Sequence, residues 1–164
     1  MKKFSSLFVL ISALTASSAA AQSTPGSLQG VWQTVEVTFP GPTPRTITLP
    51  TPQPNLTIVT AKHYSRVEDQ SEKPRHNPAD ISKASADELR AVWEPFVGEA
   101  GTYEIAGGNT LTMHPVVAKN PSAMKPGAFT TWSYRLEGNT IWVTARANQN
   151  GPVAAVTIKA VRIE

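Results

Sequence analysis

Three histidines are the side chains here best suited to moving protons near neutral pH: His63, His76 and His114. His114 ends the alternating run Leu111-Thr112-Met113-His114, which follows Gly107-Gly108-Asn109. A three-residue turn at those glycines sets Ile105 opposite Leu111 and Tyr103 opposite Met113 on one face. Glu104 then faces Thr112, and Thr102 faces His114, on the other. Sliding the turn by one residue would mix apolar and polar groups on both faces, so the pattern selects this register. His114 comes out diagonal to Glu104, and an imidazole beside a carboxylate is the arrangement of an oriented general base. The competing reading makes this polar face the wet outside of a sheet. Pro115, directly after His114, marks an edge or a bulge. His63 with its neighbour Tyr64 is a second candidate acid–base pair.

Lys62-His63-Tyr64-Ser65-Arg66 is the densest polar cluster on a strand-like segment. Period 2 sends Lys62, Tyr64 and Arg66 to one face and His63 and Ser65 to the other. A Tyr–Arg pair turned into a cavity can hold a carboxylate or phenolate, because guanidinium offers a fixed two-pronged fork. Leu56 and Ile58 share the count of Tyr64, which favours an inward direction. Val59, Ala61 and Val67 on the alternate count keep the choice open, as does a bland reading in which these cations lie at a rim. The candidate ligand-binding set is Tyr64, Arg66, Tyr103, Trp132 and Tyr134.

Much chemistry is excluded. The chain has no cysteine, hence no disulfide, no thiolate metal site and no thiol nucleophile. No HxH or HExxH pattern occurs, and no metal is expected. GxSxG, GxxxxGK[ST] and GxGxxG are all missing, so neither a serine nucleophile elbow nor a phosphate loop is indicated, and no cofactor is expected.

The supporting elements begin with an address. Lys2 and Lys3 precede an apolar stretch from Phe4 to Leu14, and Ala19-Ala20-Ala21 supplies small residues before Gln22. This reads as a secretory signal peptide, residues 1–21, cleaved after Ala21 and too short to span a bilayer. Residues 22–164 would then form a single domain. The whole chain carries 15 basic and 12 acidic residues. Loss of Lys2 and Lys3 nearly balances them. With basic residues scattered, no nucleic-acid partner is expected.

Leu28–Phe39 reads as a strand. Pro40, Pro42, Pro44, Pro50, Pro52 and Pro54 crowd the next segment, which reads as a surface loop. Asn55–Val67 reads as a strand region and Glu68–Ile81 as loop. Ser85 and Glu88 make a capping box for one helix, whose stripe of Leu89, Val92, Trp93 and Phe96 is expected to pack on the sheet or act as a lid. Phe129–Glu137 and Thr140–Asn148 flank a two-residue turn, Gly138-Asn139. That hairpin pairs Trp132 with Ala145, Tyr134 with Val143 and Leu136 with Ile141. It sets Thr131 opposite Arg146 on the reverse face. Val153–Ile163 reads as the last strand. The sum is an all-β chain with one short helix, folded as an antiparallel barrel, with a two-sheet sandwich as the alternative.

Five segments resemble the bacterial lipocalin-like domain family, in that family's order: GVWQTVEVT at 30–38, AKHYSRV at 61–67, AGTYEIAGGNTLTMHPVVAKNPSAM at 100–124, PGAFTTWSYRLEGNTIWVT at 126–144 and TIKAVRIE at 157–164. The resemblance implies a small lipocalin-like barrel with a central pocket for an apolar or amphipathic molecule, in a periplasmic or secreted bacterial protein. It supplies no catalytic residues.

Three functions compete on this sequence. The first is an exported binder of a small apolar or amphipathic molecule. The second is a cofactor-free isomerase, cyclase or hydrolase using His114 with Glu104 or His63 with Tyr64. The third is a protein-interaction module using a strand edge or the proline-rich segment. The sequence leaves the oligomeric state open.

Overall fold

Alternating side chains and glycine turns organise the chain into strands, and the strands into a ring. The computed structural model describes residues 27–49, 54–71 and 75–164. The expected signal peptide lies outside them, as do Pro50 and Pro52. The strands are β1 (Gly30–Phe39), β2 (Arg45–Thr48), β3 (Asn55–Val59), β4 (His63–Asp69), β5 (Phe96–Ala106), β6 (Thr110–Ala118), β7 (Thr130–Glu137), β8 (Thr140–Asn148), β9 (Gly151–Pro152) and β10 (Thr157–Arg162). One helix, α1 (Ala86–Trp93), lies between β4 and β5.

Neighbouring strands pair antiparallel in the order β1, β3, β4, β5, β6, β7, β8, and β10 joins β8 back to β1. Among the described residues this closes an eight-stranded barrel, a lipocalin-like all-β fold, and the closure excludes the two-sheet sandwich. Both hairpin registers match the alternation: Tyr103 pairs with Met113, Ile105 with Leu111, Tyr134 with Val143 and Leu136 with Ile141. Gly107 and Gly108 take φ of 57° and 78°, which a side chain would resist.

Several expectations need correction. Asn55–Val67 is not one strand region but a hairpin, β3 and β4, turning at Thr60-Ala61-Lys62. The proline-rich segment contains β2, because Arg45–Thr48 is proline-free and its N–H groups can pair with β1. Thr131 pairs with Ala147, because a bulge displaces Arg146. Residues 153–156 are not strand, and Phe96 opens β5 instead of extending the helix.

The helix has its capping box: Glu88 N donates to Ser85 Oγ, and Ser85 N donates to Glu88 Oε2 at 2.8 Å. Its stripe does not pack on the barrel as expected. Leu89 is 42% and Trp93 57% exposed, and both line a surface groove of about 600 Å³ with Ile81 and Pro78. Cations tether it instead. Lys119 Nζ donates to Trp93 O, Glu94 O and Phe96 O at 2.6, 2.9 and 2.7 Å, and Arg75 Nη1 donates to Val92 O at 3.0 Å. Both cations sit where the helix presents unpaired carbonyls and negative partial charge.

The two ends of the barrel differ. Short turns at 60–62, 107–109 and 138–139 gather at one end, with residues 27–29 and Arg162. Leu28, Trp32, Ile141 and Ala160 pack there as a core, joined by Tyr134, Leu136 and Val59. The long connections, including α1 and Pro121–Met124, gather at the other end.

Candidate functional site

The hairpin turn decides what faces inward. Val59 pairs with Tyr64 and Thr57 with Arg66, so residues of β3 and β4 that share a face differ in parity. Tyr64, Arg66 and Glu68 therefore look inward with Asn55, Thr57 and Val59. Leu56, Ile58 and Val67 look outward, 38%, 42% and 46% exposed. The inward direction of Tyr64 stands, while the reason drawn from Leu56 and Ile58 fails because the count was carried across a turn.

On β5, Tyr64 meets Gly101 and Arg66 meets Glu99. Gly101 has to be glycine: a Cβ there would lie 2.1 Å from His114 O, backbone that cannot step aside. The approach coincides with a bulge in which Ala100 pairs with Val117 and Gly101 with Pro115. Pro115 thus marks a bulge, one of the two readings its position suggested.

Above the core the barrel holds a cavity of about 100 Å³. Met113, Leu111, Val143 and Ile158 give it an apolar wall, and Arg66 with Glu68 a polar one nearer the long connections. Tyr64, Arg66, Tyr103 and Trp132 of the candidate set all line it. Tyr134 does not; its ring packs against the core and its hydroxyl donates to Gly108 O at 3.1 Å.

The fork of Arg66 is already taken. Its Nε and Nη2 donate to Glu68 Oε1 and Oε2 at 2.7 and 2.9 Å, and Gln70 Nε2 adds a bond to Oε2 at 3.0 Å. Only 17% of the Arg66 side chain and 8% of Glu68 are exposed. The expected use of Arg66, clasping a ligand carboxylate, conflicts with this bidentate pair. Burial pushes the Glu68 carboxyl up, but the bonds and charge of Arg66 outweigh it and hold Glu68 below its ordinary value. Glu99 moves the other way. Burial raises it and the Glu68 charge adds, while Arg66 opposes without prevailing. Tyr64 is raised well above an ordinary phenol, by burial and then by Glu99, so it keeps its proton.

The polar atoms of the aromatic rings that line the cavity fall into two groups. Trp32 Nε1 donates to Leu28 O at 2.9 Å, and Tyr103 Oη to Thr60 O at 2.7 Å. Tyr64 Oη and Trp132 Nε1 are buried with no hydrogen-bond partner among the described residues.

The histidines stand elsewhere. His63 and His114 each lie directly across from Thr102, so both share the outer face. Glu104 lies on that face too, exposed, and no hydrogen bond or ion pair joins it to His114 among the described residues. None of the three lines the cavity. His76 is exposed in the loop before α1. Among the described residues no cluster of three His, Asp or Glu could hold a metal.

The sequence reading missed Glu68 and Glu99. Glu68 was placed in the loop, although it continues the alternation of Tyr64 and Arg66. Glu99 lies between the helical stripe that ends at Phe96 and the alternation that resumes at Tyr103, so neither pattern points to it. Comparison with known protein families finds no match for this chain, and comparison with curated proteins finds none either.

Proposed function

We propose that the protein is an exported, lipocalin-like carrier or sensor that holds a small apolar or amphipathic molecule inside its barrel. The observation that carries this reading is the cavity, walled by aromatic and aliphatic side chains, with the polar groups of Arg66 and Glu68 on one side. Binding sites of this kind are concave, mostly apolar and set by few polar groups. The size of the cavity limits its guest. Drug-sized sites span roughly 300–1,000 Å³, and an engineered apolar cavity of about 150 Å³ takes benzene. At about 100 Å³ the guest is near benzene in size or smaller. Export rests on the leader read at residues 1–21, and membership of the bacterial lipocalin-like family on the five segments and their order. Among the described residues no helix is long and apolar enough to cross a membrane.

A panel of small neutral, cationic and anionic compounds, screened by thermal shift, tests the binding. A ligand at a hundred times its Kd stabilises the fold by about 2.7 kcal/mol. Ala160→Leu, which fills the cavity from β10, should remove the response. A panel in which nothing shifts the melting of the intact protein overturns the reading. Export is tested separately by the mass of the protein recovered outside the cytoplasm of its bacterial host, expected to begin at Gln22.

A further inference from the structure

Directly opposite residues of an antiparallel pair share a face, so Glu99 on β5 stands on the inner face with Arg66, its partner on β4. Arg66 and Glu68 line the cavity, and Glu99 stands one strand away from them, half-buried. One cation thus serves two carboxyls. Glu68 takes Nε and Nη2 of Arg66, with Gln70 as a further donor. No hydrogen bond or ion pair joins the Glu99 carboxyl to a partner among the described residues. We propose that the guest is taken up together with a proton on Glu99, so that the barrel binds at acidic pH and lets go as pH rises. This rests on the reading of the barrel as a small-molecule site and names how that site is regulated.

The direction of the coupling follows from screening. A guest of hydrocarbon character replaces water with matter that screens charge poorly. With Glu99 protonated, Arg66 and Glu68 balance and the polar wall is neutral. With Glu99 ionised, one surplus negative charge stands beside it, and lowering the dielectric there costs more. The guest therefore favours protonated Glu99, and by linkage the proton favours the guest to the same degree. From β4 the groups facing Glu99 are Tyr64, which keeps its proton, Arg66 and Glu68. From β6 its partner is Ala118, while the ammonium of Lys119 is bonded to Trp93 O, Glu94 O and Phe96 O. On β5 itself, Val97 and Gly101 share its face and bear no charge. Burial and the Glu68 charge hold the Glu99 carboxyl above its ordinary value, which brings its titration nearer neutral pH.

Benzene has no titrating group of its own and is the probe. It is titrated into the intact protein by calorimetry from about pH 5 to about pH 8. Each titration is run in two buffers that differ in ionisation enthalpy, so that the protons taken up are counted. Circular dichroism verifies the fold at every pH. Benzene is expected to take up protons on binding and to raise the Glu99 value by about one unit, so its Kd grows about tenfold across that range. Glu99→Gln should bind benzene alike at every pH, with no proton taken up. Glu104→Gln, exposed on the outer face, should keep the pH dependence of the natural protein. If the natural protein binds benzene with one affinity throughout, or Glu99→Gln keeps the pH dependence, the inference fails while the barrel remains a binding site. If neither benzene nor any wider panel binds at any pH, the functional reading itself falls.

Discussion

The Arg162 guanidinium lies 4.4 Å from the centroid of the Trp32 ring, at the end of the barrel where the turns are short. Its Nη atoms also donate to Gln29 O and Ser27 O. One cation therefore fastens the segment before β1, the first strand and the last strand together. Stacking of a shielded cation contributes up to about 2 kcal/mol, and charged hydrogen bonds about 1.5–3 kcal/mol. Arg162→Ala should lower unfolding free energy by roughly 3 kcal/mol in urea. Arg162→Lys should recover only part of it, because ammonium lacks the planar fork.

Gly101→Ala tests the bulge. The added carbon meets His114 O at 2.1 Å, so β5 and β6 must part beside Tyr64. A loss of about 3 kcal/mol or more is expected, at the upper end for overpacking. Circular dichroism melts measure it, and near-wild-type stability would show that β6 can shift.

Acid and base should act on the interior carboxyls in opposite directions. Glu68 is lowered in the folded state, so its contribution is complete above the unfolded value of 4.5 and is lost as pH falls through the folded one. Glu99 is raised, so folding pays nothing for it below 4.5, and stability declines as pH rises from there through its folded value. Glu99→Gln is expected to be more stable than the natural protein at pH 7 and to flatten the decline above pH 4.5. Glu68→Gln removes the two charged bonds to Arg66 and leaves Glu99, across the strand, as its remaining counter-charge, at a cost of about 3 kcal/mol. Urea midpoints between pH 3 and 8 check both signs.

Lys119→Met removes two hydrogen bonds from the carbonyl end of α1 and a third from Phe96 O at the start of β5. Since α1 is not packed on the barrel, its amides should exchange with deuterium about tenfold faster, while those of β5 to β8 change little. Uniform acceleration throughout the barrel would mean that the helix is integral to the core.

The C-terminal half was legible because its turns carry glycine at their corners and its alternation runs unbroken from each turn to the first bulge. Tyr103, Leu111, Met113, Trp132 and Val143 could thus be set inward by counting. The β3–β4 turn, Thr60-Ala61-Lys62, has neither glycine nor proline, so parity was carried across it and Leu56 and Ile58 landed on the wrong face. Arg66 was found in the sequence, but its partner was not, because a period-2 pattern shows direction and not who reaches whom. The helix was recognised by its capping box. Where its apolar stripe went could not be read, since a stripe names a face and not its covering. His114 and Glu104 look much alike as a wet sheet surface and as a catalytic pair until a concavity is present or missing beside them.

The stave that completes the ring, Thr157–Arg162, follows every other strand along the chain yet stands between the first and the eighth. Until it emerges from the ribosome, β1 and the Thr140–Thr144 stretch of β8 each display a row of unsatisfied amides. Such a chain behaves as an open sheet with two sticky borders. A truncation just short of Thr157 would therefore yield clumping instead of a slightly weaker monomer, and folding must wait for a contact spanning nearly the whole domain, which makes it slow.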